Sequence, residues 1–214
     1  LDRTYALLTA FREYGPELSP NYIKAYHKKD AKPYDWTYET LGELLRKGLD
    51  KRVFPDLGYT IGFFSSFNDD EAAGISITTG VANRRFKNTL RVDLPLSLPI
   101  YDNPSVIEKL MYLFKKIVCI FDPFWGCIVN DINIKRYNGY WRNLLPTTVH
   151  WVNFFGESIV KELGIERIKK AQVHTVKTLN KGFFMRVKEF PIDDFSKEDL
   201  DIQVNINKYF GFKS

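Results

Sequence analysis

Asp122-Pro123 constrains this chain more than any other dipeptide in it, because it ends the long apolar segment from Val106 to Phe121. The residue before a proline is pushed out of the α region, and proline has no N–H to donate. A helix carrying Val106, Ile107, Leu110, Met111, Leu113, Phe114, Ile117, Val118 and Phe121 must therefore stop here. Its apolar residues cover more than one face, so it is expected to be the most buried helix, lying across a sheet. Asn103-Pro104-Ser105 starts it, with Ser105 and Glu108 at capping-box spacing. Beyond the corner, Phe124, Trp125 and Cys127-Ile128-Val129 predict a buried strand reaching about Asn130. A polar loop from Asp131 to Gly139 leads on to Tyr140-Trp141. The corner has no catalytic spacing; a helix-to-strand turn filled by large aromatics accounts for it.

The rest of the chain alternates helical and strand-like stretches. Leu1 to Tyr14 has weak helical spacing and is closed by Gly15-Pro16. Ser19-Pro20 reads as the start of a short basic helix ending near His27-Lys28-Lys29. Thr37 caps a clearer amphipathic helix, Thr37 to Leu49, with Tyr38, Leu41, Leu44, Leu45 and Leu49 on one face. Tyr59 to Phe64, Gly74 to Gly80 and Thr89 to Leu94 read as three strands of an antiparallel meander. The first two are joined by the polar turn Asn68-Asp69-Asp70-Glu71. After the corner, Val149 to Gly156 is strand-like, and Glu157 to Leu163 is a helix stopped by Gly164. Gln172 to Thr178 and Gly182 to Lys188 form a hairpin around Leu179-Asn180-Lys181-Gly182. Ser196, with Asp199 three residues on, caps a last helix, although Ile202, Val204 and Ile206 also alternate as in a strand.

Bulk properties narrow the function classes. With 214 residues, 44% of them hydrophobic and 15% aromatic, the chain can bury about 70% of its unfolded surface and keep aromatics for its outside. Its net charge of +5 is too mild to specify nucleic acid by itself. The two cysteines, Cys119 and Cys127, sit in apolar runs and read as reduced core residues. No apolar run reaches the roughly 18 residues of a membrane span, and no signal-peptide pattern opens the sequence. A soluble cytoplasmic protein is the expectation.

Candidate chemistry is sparse. His27, His150 and His174 lie far from one another and from the cysteines, and no nucleophile elbow or glycine-rich phosphate loop occurs. Acidic groups fall at Asp69-Asp70-Glu71 and at Asp193-Asp194 with Glu198, Asp199 and Asp201. Both lie in turns or at a helix start, where acids are solvated, face the helix dipole, or meet a basic partner. Basic groups fall at Lys28-Lys29 near Tyr26, at Arg84-Arg85 with Phe86 and Lys87, and at Arg167 with Lys169-Lys170. Interleaved aromatics and cations are what a nucleic-acid surface uses, which makes nucleic-acid binding the alternative reading. These clusters alternate with acidic ones and form no single stripe.

Several short stretches, taken in order, point to a family. They are Ser19-Pro20-Asn21-Tyr22, Trp36-Thr37-Tyr38-Glu39, Leu57-Gly58-Tyr59 and Phe63-Phe64-Ser65-Ser66. Asn88-Thr89-Leu90 ahead of Leu94-Pro95 follows, then Phe121-Asp122-Pro123-Phe124-Trp125-Gly126. Last come Gly139-Tyr140-Trp141, Leu145-Pro146 and His150-Trp151-Val152-Asn153-Phe154-Phe155-Gly156. Together they resemble the immunity protein 52 family of bacterial polymorphic toxin systems over nearly the whole chain. The resemblance implies a non-enzymatic antidote that needs no cofactor. It would be held in the cytoplasm of the producing cell and bind a toxin domain, often of the restriction-endonuclease-like nuclease type.

These readings converge on an α+β domain, an antiparallel sheet with helices packed on it; two related sheet-and-helix halves are one arrangement the pattern permits. A single domain is expected over residues 1–214, with an N-terminal helical part over 1–50 and a sheet-and-helix core over 57–214. Loop position and polarity select the partner contacts Asp69, Asp70, Glu71, Tyr137, Tyr140, Asp193 and Asp194. No metal ligands, cofactor residues or catalytic residues are expected, and the chain would act as a monomer or homodimer.

Overall fold

The computed structural model describes residues 1–25, 28–49, 54–83, 86–137, 141–142 and 145–212. It is an α+β fold with two main antiparallel sheets and helices packed on them. The chain forms two compact units, Leu1–Pro99 with Glu108–Leu113, and Ile100–Ile107 with Phe114–Ser214. The residues expected as an N-terminal part, 1–50, and the first strands of the expected core both fall in the first unit.

In the first unit, helix α1 (Asp2–Tyr14) buries Leu7, Leu8, Phe11 and Tyr14. Strands β1 (Tyr22–Ile23) and β2 (Lys32–Pro33) precede helix α2 (Tyr38–Lys47). Thr37 caps α2 by accepting the Thr40 N–H at 3.1 Å, and Leu41 and Leu45 lie on its buried face, as their spacing predicts. The meander follows as β3 (Tyr59–Phe64), β4 (Gly74–Thr79) and β5 (Thr89–Asp93), giving the strand order β2-β1-β3-β4-β5. Ile61, Phe63, Ile75 and Ile77 form its buried face.

The expected helix after Ser19-Pro20 is absent; Tyr22 and Ile23 pair instead with Phe64 and Phe63. Asn21 donates its side-chain amide to the Ser65 carbonyl at 2.9 Å, 44 residues away in sequence. Long-range pairing overrides the local cap signal here, and nothing within a few residues reports it. Of the end expected for that helix, His27 lies outside the described residues, and Lys28–Asp30 form a short 3-10 turn.

Helix α3 (Pro104–Phe121) gives residues 108–113 to the first unit and the remainder to the second. Asn103, not Ser105, is its cap; its side-chain oxygen accepts the Ser105 and Val106 N–H groups at 3.1 and 3.3 Å. Pro104 at the first helical position holds Asn103 in extended backbone, which is what a cap needs. Tyr112 and Cys119 are exposed, so α3 keeps a solvent face and Cys119 is not a core residue. The helix ends on schedule at Asp122, which takes the left-handed conformation at φ 54° and accepts the Asn180 amide at 2.7 Å.

The second unit continues with strand β6 (Trp125–Ile128), which is half-buried along its length rather than buried. Cys127, on it, is half-buried, and burial pushes its thiol pKa up. Then come helix α4 (Asp131–Arg136), the two-stranded ribbon β7 (Trp141–Arg142) and β8 (Leu145–Pro146), and strand β9 (Val152–Phe155). Helices α5 (Glu157–Leu163) and α6 (Ile165–Lys169), hairpin strands β10 (Thr175–Leu179) and β11 (Gly182–Arg186), and helix α7 (Lys197–Phe210) complete it. The strand order is β10-β11-β9-β6, and Val152, Phe154, Phe155, Phe183, Phe184 and Met185 are buried. Gly156 makes the sheet possible at the corner. Its N–H donates to the Phe124 carbonyl at 2.9 Å, and a Cβ there would stand 2.7 Å from that oxygen.

Two segments of this unit differ from expectation. The polar stretch after Asn130 is a helix, because Asn130 caps it by accepting the Asn133 N–H at 2.8 Å. The alternating stretch after Ser196 is also a helix; Ser196 accepts the Asp199 N–H at 3.3 Å, and Gln203 and Asn207, four apart, are both buried.

Candidate partner-binding surface

The second unit contains a connected set of buried polar side chains, and it centres on Asn133 of α4. Asn133 exchanges two hydrogen bonds with Gln203 of α7, each at 2.9 Å. Gln203 also donates to the Val149 carbonyl at 2.6 Å, and Asn207 donates to the Thr148 hydroxyl at 2.7 Å while accepting the Val149 N–H at 2.8 Å. His150 closes the set, its Nδ1 3.0 Å from the Asn133 oxygen. That oxygen already accepts from Gln203, so Nδ1 carries the proton and Nε2 is a bare acceptor with no partner among the described residues. Burial pushes the imidazole pKa down to about 4, against the opposing pull of Asp194.

Asp194 links this set to the loop before α7. It is 5% exposed, and its carboxylate accepts Arg136 at 2.6 Å, Asn133 at 3.1 Å and the Asn130 amide. Arg136 also reaches the Asp194 carbonyl at 3.1 Å. A second buried carboxylate, Asp199, pairs with Lys188 and accepts the Asp193 N–H at 2.9 Å. Just before Asp194, Asp193 accepts the Phe195 N–H on its side chain at 2.9 Å and the Ser196 N–H on its carbonyl at 3.1 Å. Every backbone turn of residues 193–196 is therefore held, yet the Phe195 side chain is 86% exposed. Exposed Ile132 lies on α4, the helix whose Asn130, Asn133 and Arg136 grip Asp194. Burying two ion-paired carboxylates is a poor source of net stability, because desolvation offsets the attraction. What the arrangement supplies is a fixed loop with an aromatic tip.

The sequence-predicted contacts divide between the two units. Asp193 is exposed beside Phe195, and Tyr137, half-buried, closes α4 by donating its N–H to the Asn133 carbonyl at 3.3 Å. Burial is the main cause raising the Tyr137 phenol pKa. Asp194 is corrected: its carboxylate is buried and fully engaged inside the protein, so it anchors the loop and does not face a partner. Tyr140 lies outside the described residues. Asp69, Asp70 and Glu71 are exposed in the β3–β4 turn of the first unit. That turn is also fixed: Asn68 accepts the Asp70 N–H at 3.2 Å on its side chain and the Glu71 N–H at 3.2 Å on its carbonyl, and the Ser65 hydroxyl accepts the Ala73 N–H at 2.8 Å. Phe67, beside these acids, is about half-exposed and packs its ring on Tyr22 and Phe64.

Sequence reasoning did not single out Phe195, although a lone aromatic between Asp193-Asp194 and the cap Ser196 was a usable signal of an exposed ring. It also missed Asn133, Gln203 and Asn207, since a polar residue carries no mark of being buried. For nucleic acid, Tyr26, Arg84 and Arg85 lie outside the described residues, and Arg167 is occupied within the second unit, its guanidinium 5.5 Å from the Tyr209 ring centre. Among the described residues no three His, Cys, Asp or Glu side chains converge as metal ligands. No helix among them is long and apolar enough to cross a membrane. No protein-family model matches the chain, and no curated protein matches it.

Proposed function

We propose that this chain is an immunity protein. It binds a cognate bacterial toxin domain, of nuclease type, one to one in the cytoplasm of the producing cell, and it performs no catalytic step. The reading rests on the family-like stretches from Ser19 to Gly156 and, above all, on Phe195, held out on a loop that buried Asp194 and Asp199 fix at either end. An exposed aromatic on an ordered loop binds without first losing chain entropy, and such residues dominate interface energies. Phe195 would enter an apolar pocket on the toxin, with Asp193 and Asp131 meeting cations at its rim.

Titration calorimetry of the full chain against the toxin domain encoded beside its gene tests this, paired with growth rescue on co-expression. The expected result is a one-to-one complex that abolishes toxicity, weakened by about 2 kcal/mol or more in Phe195→Ala. A toxin that neither binds the chain nor is silenced by it would end the immunity reading. A complex indifferent to Phe195→Ala would move the contact elsewhere.

A further inference from the structure

Strand β5 ends the order of the first sheet, so one of its backbone edges has no partner among the described strands. Which peptide groups occupy that edge follows from one hydrogen bond. Ser65 donates its N–H to the Ala73 carbonyl at 3.1 Å, extending the register in which Phe64 faces Gly74. Bonded and non-bonded pairs alternate along an antiparallel ladder. Phe63–Ile75 and Ile61–Ile77 are therefore bonded pairs, and Ile75 and Ile77 turn their peptide groups to β3. Gly74, Ser76 and Thr78 turn theirs to β5, where they face Asp93, Arg91 and Thr89. The other side of β3 agrees, because Lys24 donates to the Gly62 carbonyl at 2.8 Å, the opposite parity. Leu90 and Val92 are thus left with their N–H and C=O groups on the outer edge, and Leu94 is next in line.

We propose that this edge is the seam of a homodimer, two copies of β5 pairing antiparallel about Val92. A two-fold axis there sets Val92 against the partner's Val92 and Leu90 against the partner's Leu94, so outward-facing peptide groups meet outward-facing ones. Arg91 then falls opposite the partner's Asp93, and Asp93 opposite the partner's Arg91. These are non-bonded pairs, in which cross-strand side chains come closest. Arg91 and Asp93 are both exposed and already pair within the strand at 2.8 Å, so the two charges stand on one face, ready for a reciprocal set. Centring the axis on Arg91 instead would oppose like charges. The edge is therefore complementary to itself in one register, which is the requirement of a two-fold interface. A single-strand seam is small beside the roughly 1,200 Å² of a stable interface, so the dimer is weak and concentration-dependent.

Sedimentation equilibrium of the full chain over rising concentration tests the seam. The expected mass moves from monomer toward dimer. Arg91→Asp and Asp93→Arg, each placing like charges across the seam, should raise the dissociation constant at least tenfold, and the double exchange R91D/D93R should restore it. Far-ultraviolet circular dichroism shows that each variant is folded. A monomer mass at every concentration overturns the proposal, as does a dimer unmoved by R91D or not restored by the exchange.

Discussion

Asp194 and Phe195 are adjacent in sequence and opposite in role. Asp194 holds Arg136, Asn130 and Asn133 around a buried charge, so Asp194→Ala leaves Arg136 partly buried without its carboxylate. Breaking such a pair costs about 3–5 kcal/mol, which urea unfolding would read directly. Phe195→Ala removes no buried contact and should change stability by no more than about 0.5 kcal/mol while weakening toxin binding. His150 supplies a pH signature. Burial lowers its pKa from the ordinary 6.5 to about 4, so between these values the unfolded chain binds a proton that the folded chain refuses. Its contribution is complete above pH 6.5 and is lost as pH falls toward 4, a swing of roughly 3 kcal/mol. Unfolding free energies at the two ends of this window should differ by about that much more in the wild type than in His150→Gln. An equal pH dependence in both proteins would place the acid sensitivity elsewhere.

The elements differ in how far local chemistry decides them. Helix α2, the β3-β4-β5 meander and the β10–β11 hairpin were legible because their signals are local: a threonine cap, a period of two, a tight polar turn. Strand β1 was not, since its longer-range partners lie on β3, and α4 was not, since its buried side chain, Asn133, is polar and bonds Gln203 of α7. The Asp122-Pro123 stop was legible, but the partner that makes the corner tight was not. That partner is Gly156, whose missing Cβ admits the Phe124 carbonyl. Gly156→Ala forces the β9 end away from the corner and should cost about 1–3 kcal/mol, with a loss of thermal midpoint measurable by calorimetry. Strand β6, which Gly156 holds beside β9, should lose amide-exchange protection first.

At the scale of the whole molecule, the net charge of +5 hides two local features of different chemistry, one acidic and one apolar. Asp69, Asp70 and Glu71 present carboxylates from the first unit, and Phe195 presents an apolar ring from the second. Charge acts over distance and governs encounter, whereas a buried ring governs residence. Reversing the three acids to lysine should slow association with a basic toxin face, by about tenfold or more at low salt, and the difference should shrink as salt is added. Phe195→Ala should instead speed dissociation at any salt. Stopped-flow kinetics separate the two; an association rate indifferent to the charge reversal would remove the acidic turn from the encounter. The surface was only half legible in sequence because acids advertise themselves in a polar loop, while the aromatic tip needs its anchors seen. Those anchors carry a further consequence. Because the ring at position 195 is exposed while its anchors are buried, substitution there would leave folding nearly unchanged, and on the proposed reading a lineage could follow a changing toxin one substitution at a time without first acquiring a more stable scaffold.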